Sequence, residues 1–159
     1  MKKISALLLM VVMSFTLLTG CGNPVYDDLE NFLNVEMTEI NANYEKIKAE
    51  AGGWEELEED AALETSLKDV LLPLVDDSLG KLEKITPETE EVKTLKDKYV
   101  KVMEAYKEGF GEILAGVQEL DENKMTAGNE KIDKGLELLE EYNAALEALA
   151  KEVGGEIEY

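Results

Sequence analysis

Cys21 is the only thiol in a chain of 159 residues, and a thiolate is a strong nucleophile and a metal ligand. It has no helper. The sequence contains no His and no Arg; all 16 basic residues are Lys, set against 36 Asp and Glu. Without His, neither a Ser-His-Asp nor a Cys-His site can be assembled, and no imidazole is present to bind a metal. Without a second Cys there is no internal disulfide and no thiolate cage. Without Arg there is no bidentate clamp for phosphate or carboxylate. The Glu-x-x-His pairs that hold di-iron centres in helical bundles cannot be built, and haem lacks both an axial His and a Cys-x-x-Cys-His attachment. The chain is therefore expected not to be an enzyme, with no catalytic residue, no cofactor and no metal site.

Carboxylates are the abundant alternative: Glu55, Glu56, Glu58, Glu59 and Asp60; Asp76 and Asp77; Glu137, Glu140 and Glu141. Paired carboxylates do acid–base work when their surroundings push their pKa values apart. Nothing in the pattern encloses one partner, so these runs read as a solvated acidic face, with capture of divalent cations or cationic peptides as the sharper alternative. The stretch Asp121–Glu130, DENKMTAGNE, offers oxygens at its first and third positions. It carries Met125 and Thr126 where a calcium loop needs an oxygen ligand and a Gly, so it reads as a polar turn. Tyr99, Tyr106 and Phe110 share one helical stripe with Tyr142 on the next; at that spacing they read as core, and a ligand groove is the alternative.

The N-terminal stretch explains the lone thiol. Lys2 and Lys3 precede an apolar run of 15 residues, Ile4–Leu18, that ends in Thr19, Gly20 and Cys21. A membrane span needs about 20 apolar residues, so the run is short, and the three-part pattern is that of a secretory signal peptide. Leu18-Thr19-Gly20-Cys21 resembles the lipobox of bacterial lipoproteins, with Thr19 a less usual choice than Ala or Ser. The resemblance implies that Cys21 takes a diacylglyceryl group and becomes the lipidated N-terminus after cleavage. Gly22 comes next rather than the Asp that retains lipoproteins in the inner membrane of Gram-negative bacteria. Lys without Arg leans the same way, towards a Gram-positive envelope. The expected location is the extracytoplasmic face of the cell membrane, held by the lipid on Cys21.

Past that cysteine, 14 lysines oppose 36 carboxylates, a net charge of −22. Such a surface argues against nucleic acid, whose phosphates need cationic neutralisation, and is repelled by anionic lipid. Only Gly22 and Asn23 separate Cys21 from Pro24, a tether of roughly 10 Å at about 3.5 Å per residue.

The positioning elements are helical. Asn23 suits an N-cap and Pro24 the first helical position. Val25, Leu29, Phe32, Leu33, Met37, Ile40, Tyr44 and Ile47 then recur in steps of three and four until Gly52-Gly53. A second stripe runs from Trp54 to Ile85 with Pro73 inside it, where a kink is expected. Thr86 and Pro87 read as N-cap and first residue of a third helix, whose stripe ends at Leu120. The fourth runs from Met125 to Val153, and the last four residues, EIEY, are expected to fray. The helices predicted are 24–51, 54–85, 87–120 and 123–153. A single helix through 87–153 is the rival to a hairpin broken at Asp121–Lys124.

Gly109, Gly116, Gly128 and Gly135 lie inside these patterns, where each costs about 1 kcal/mol against Ala. A hairpin centred on Glu122 would set Gly109 level with Gly135 and Gly116 level with Gly128, allowing close helix contact. The fold class expected is all-α: an antiparallel up-down-up-down four-helix bundle, residues 24–159, after a signal peptide of residues 1–20 and a lipidated tether of residues 21–23. In overall pattern it looks like the small helical lipoproteins of Gram-positive bacteria. The function expected is a non-enzymatic interaction module, an adaptor for another envelope protein.

Overall fold

A computed structural model describes residues 22–54, 57 and 60–158, with the backbone of 14–16. Asn23 is extended (φ −96°, ψ 109°), and its side-chain oxygen accepts the Val25 N–H at 3.0 Å, so α1, Pro24–Asn31, begins where the Asn-Pro pair predicts. The helix widens into a π-helical turn over Phe32–Glu36 and continues as α2, Thr38–Gly52. Leu29, Phe32, Leu33, Met37, Ile40, Tyr44 and Ile47 are all buried, as the stripe requires; Tyr26 joins them while Val25 stays half-buried.

The second arm differs from expectation at its start. Trp54 lies in a tight turn after Gly53 rather than at the head of a helix, and its indole N–H donates to Ser66 Oγ at 2.9 Å. The helix α3 spans Asp60–Thr65, a second π-helical turn covers Ser66–Leu71, and α4 spans Leu72–Leu82. Pro73 therefore does not split the arm. It falls in the first turn of α4, where its missing N–H is tolerated, and the wide turn before it absorbs the mismatch.

The third arm also starts later than predicted. Ile85–Pro87 are non-helical, Pro87 is buried, and the N-cap of α5, Glu90–Glu119, is Thr89 rather than Thr86. Thr89 makes no side-chain cap of its own. The cap comes from α1: the Asp28 carboxylate accepts Glu88 N–H at 3.1 Å, Thr89 N–H at 2.8 Å and Thr89 Oγ1–H at 2.6 Å. Asp28 is buried. Position 86 satisfies the local cap rules, but a carboxylate on a distant arm of the chain meets the backbone three residues later.

The rival continuous helix is excluded. Leu120 takes a left-handed conformation (φ 55°, ψ 37°), Asp121 accepts Asn123 N–H at 2.9 Å as the next N-cap, and α6 runs Glu122–Glu152. A non-glycine side chain at that position is strained, and Leu120 is 80% exposed with no packing to offset it. Leu120→Gly is expected to stabilise the domain by about 1 kcal/mol, read as a higher urea midpoint at unchanged slope.

Contacts fix the direction of neighbouring arms. Glu39 meets Lys81, Asn43 meets Ser78 and Trp54 meets Ser66, so the first two arms run antiparallel. Lys96 reaches the Ile85 carbonyl, Lys107 meets Asp76 and Gln118 meets Glu64, which makes the second and third antiparallel too. Between α5 and α6 the glycines set the register. A methyl group at Gly116 would lie 2.8 Å from Met125 N, and one at Gly135 would lie 2.6 Å from the Tyr106 ring. The hairpin is thus centred between Leu120 and Asp121, not on Glu122. Gly109 faces Gly128 rather than Gly135, and Gly116 faces Met125 rather than Gly128. Close approach through glycine is present; the predicted pairing is displaced because the turn is tighter and earlier than the sequence suggested.

The described fold is all-α apart from one short ribbon. Gly154 (φ 81°) turns the chain, and β2, Glu156–Glu158, pairs antiparallel with β1, Ser14–Thr16, placing Ile157 opposite Phe15. The C-terminus expected to fray is paired over those three residues.

Candidate functional site

Cys21 lies outside the described residues, as do Glu55, Glu56, Glu58 and Glu59. The lipidation assignment accordingly rests on the sequence. The capped start of α1 at Pro24 leaves Gly22 and Asn23 as the connection to Cys21.

The remaining acidic residues divide. Asp76 pairs with Lys107 at 2.7 Å and Glu137 with Lys134 at 2.8 Å, while Glu140 and Glu141 are exposed. Among the described residues no group of three His, Cys, Asp or Glu side chains could hold a metal ion. The solvated acidic face read from the sequence is what most of these residues form, and such exposed pairs contribute little each.

Tyr99, Tyr106, Phe110 and Tyr142 are core. Tyr99 and Tyr142 meet edge to face with ring centroids 5.0 Å apart, Tyr106 stacks on Phe110 at 6.1 Å, and Trp54 closes on Phe110 at 5.8 Å. Tyr44 from α2 joins at 6.3 Å from Tyr106. The hydroxyls of Tyr44, Tyr99 and Tyr106 are buried, and none makes a well-formed hydrogen bond among the described residues. Burial accordingly pushes all three above the usual phenol range, Tyr106 to about 12. They stay neutral at any physiological pH, so the cluster has no acid–base role there.

Glu36, in the first π-helical turn, is a partly buried carboxyl in perturbed surroundings. Burial raises its pKa first, and the neighbouring Asp28 charge raises it further; a bond from Asn31 and the Lys96 charge oppose this. Its Oε2 is buried without a partner. A folded pKa above the unfolded value means that the native state binds the proton more tightly, so stability falls as pH rises through the folded value. Glu36→Gln is expected to raise the melting temperature at pH 7.5, with the gain fading towards pH 4 as the wild-type carboxyl protonates. Melting curves of both proteins across that range check it.

One groove among the described residues, of about 650 Å³, lies between α2 and the segment from the second π-helical turn into α4. Ala49, Val70, Pro73 and Leu74 supply its apolar lining, and Lys46, Glu50, Asp69 and Asp77 its charged lining. Asp77 is held in place: Asn43 Nδ2 donates to it at 2.7 Å and Lys81 forms an ion pair with it. Those two partners, the Lys81 bond first, hold its carboxyl below the usual range. Glu50 and Asp69 have no ion pair among the described residues. Sequence reasoning placed Asp77 in an acidic run and Pro73 at a kink but did not join them to Glu50 and Asp69. These residues lie on two arms, and only the antiparallel register brings them to one trough.

Val35 and Leu120 are the large apolar side chains left exposed among the described residues, on separate elements. No helix among those residues is long and apolar enough to cross a membrane. No family model matches this chain, and no curated protein or solved structure matches it.

Proposed function

We propose that this chain is a lipid-anchored lipoprotein of the extracytoplasmic membrane face, in a Gram-positive envelope, whose domain is an up-down-up-down four-helix bundle acting as a non-enzymatic adaptor for another envelope protein. The observation that carries the anchor is the join between motif and fold. After Leu18-Thr19-Gly20-Cys21, only two residues precede a capped helix start at Asn23–Pro24. A lipid on Cys21 would hold the first turn of α1 within roughly 10 Å of the bilayer. The antiparallel contacts of successive arms support the bundle. On this reading cleavage removes β1 with the leader and leaves β2 without its partner strand.

The adaptor role is supported by residue chemistry: the chain has no His, no Arg and a single Cys, and its buried tyrosines cannot ionise at neutral pH. Metabolic labelling with a palmitate analogue tests the anchor. Label is expected on the wild type and lost in Cys21→Ala; an unlabelled wild type would overturn it. Crosslinking in intact cells tests the adaptor role, with recovery of a defined envelope protein the expected result and a chain crosslinked to nothing beyond background the contrary one. A second reading, capture of cationic peptides, is favoured by the acid-lined groove between α2 and α4.

A further inference from the structure

The groove combines three properties that single out one kind of occupant. Half of its lining is apolar: Ala49, Val70, Pro73 and Leu74. The other half carries Glu50, Asp69 and Asp77 against the single Lys46. It is an open trough rather than an enclosed chamber, whereas small-molecule sites bury most of their ligand's surface. A surface this open to solvent suits a segment of a larger partner better than an enclosed small molecule.

We propose that this groove binds an extended peptide segment of a partner protein in which lysine or arginine side chains flank an apolar residue. The inference rests on the reading of the chain as an interaction module and names the surface and the chemistry that would be recognised. The apolar side chain covers Val70 and Leu74, and the flanking cations meet Glu50 and Asp69, which have no lysine partner among the described residues. Asp77 offers a carboxylate already oriented by Asn43 at 2.7 Å and by Lys81, so ordering it on binding costs little. The groove also lies well away from the anchor. Lys46 to Glu50 sit more than 20 residues past Asn23 on the same arm, roughly 35 Å at 1.5 Å per residue, which leaves room for a protein partner.

A net charge of −20 attracts any cation weakly, so the test must separate the groove from general acidity. The full chain in neutral-detergent micelles is titrated with a fluorescein-labelled Lys-Leu-Lys-Leu-Lys amide, and with counterparts carrying Gly for Leu or Glu for Lys. Saturable binding is expected for the first peptide, at least tenfold weaker binding for the Gly form, and none for the Glu form. The double variant Glu50→Gln/Asp69→Asn is expected to weaken the first peptide about tenfold. Glu140→Gln/Glu141→Gln, which removes the same charge from exposed positions on α6, is expected to change it less than twofold. Equal loss in the two double variants, equal binding of the Leu and Gly peptides, or no saturable binding at millimolar peptide would each overturn the groove. None of these results touches the adaptor reading itself, which stands or falls on crosslinking in cells.

Discussion

Gly128→Ala is expected to destabilise the domain by about 1–2 kcal/mol net, although alanine is the better helix former by about 1 kcal/mol. A methyl group there would stand 2.7 Å from the Gly109 carbonyl oxygen, 2.8 Å from Ile113 N and 2.5 Å from Ile113 Cγ1. Two of those atoms are backbone, and no side-chain rotation relieves them. The α5–α6 spacing must increase, and cores forced to accept an extra carbon in this way lose about 1–3 kcal/mol. Gly109→Ala meets the same seam from the other side, 2.9 Å from the Gly128 oxygen. Once one substitution has separated the helices, the second has less left to disturb, so the double variant should cost less than the sum of the two. Gly111 is the control. A methyl group there meets nothing within 4 Å, so Gly111→Ala should stabilise by about 0.5–1 kcal/mol. Urea unfolding of the four variants separates helix propensity, which is common to all, from contact, which is confined to the seam.

Asp28→Ala is expected to cost about 2–3 kcal/mol. The carboxylate accepts three hydrogen bonds from Glu88 and Thr89 and places negative charge at the start of α5, where the helix dipole favours it. Removing it leaves two backbone donors with diminished solvent access, and unsatisfied buried donors cost about 1–3 kcal/mol. The loss is limited because the freed Thr89 hydroxyl can turn to cap its own helix, a contact worth about 1 kcal/mol. Asp28→Asn, which keeps an acceptor oxygen but not the charge, should fall between wild type and Asp28→Ala. Thr89→Asp in the Asp28→Ala background should recover about 1 kcal/mol by supplying a local cap. Chemical denaturation of the series checks both steps. If Asp28→Ala unfolded at the wild-type urea midpoint, the cap from α1 would carry no weight in the fold.

These two expectations mark where sequence reasoning stopped. The helical stripes were legible because helix periodicity is a local property: Leu29, Phe32, Met37, Ile40, Tyr44 and Ile47 are buried, as their spacing requires. The start at Asn23–Pro24 was legible for the same reason, since the cap and its N–H lie two residues apart. Thr86 failed as a cap because the deciding carboxylate belongs to another arm. At Pro73 the helical path continues, with a π-helical turn directly before it that no local rule forecasts. The pairing expected for Gly116 was displaced by about a turn, to Met125, because it inherited a misplaced hairpin centre, and Gly109 meets Gly128 and Ile132 instead of Gly135.

The candidate site divides in the same manner. What the sequence by itself determined was chemical and local: a single thiol in a lipobox-like context, an absence of His and Arg that removes most catalytic designs, a strongly acidic balance, and four arms of helical period. Each depends on which residues are present and on spacings within one turn of helix. The tertiary structure alone decided which distant residues meet. It brought Glu50 together with Asp69 and Asp77 beside apolar lining residues, buried three tyrosine hydroxyls in the core, and set Asp28 at the start of α5. The physical reason is that such meetings depend on the register between arms. Register is fixed by close packing at a few positions, here the Gly109–Gly128 approach and the turn at Leu120–Asp121, and the periodicity of any one helix is blind to it.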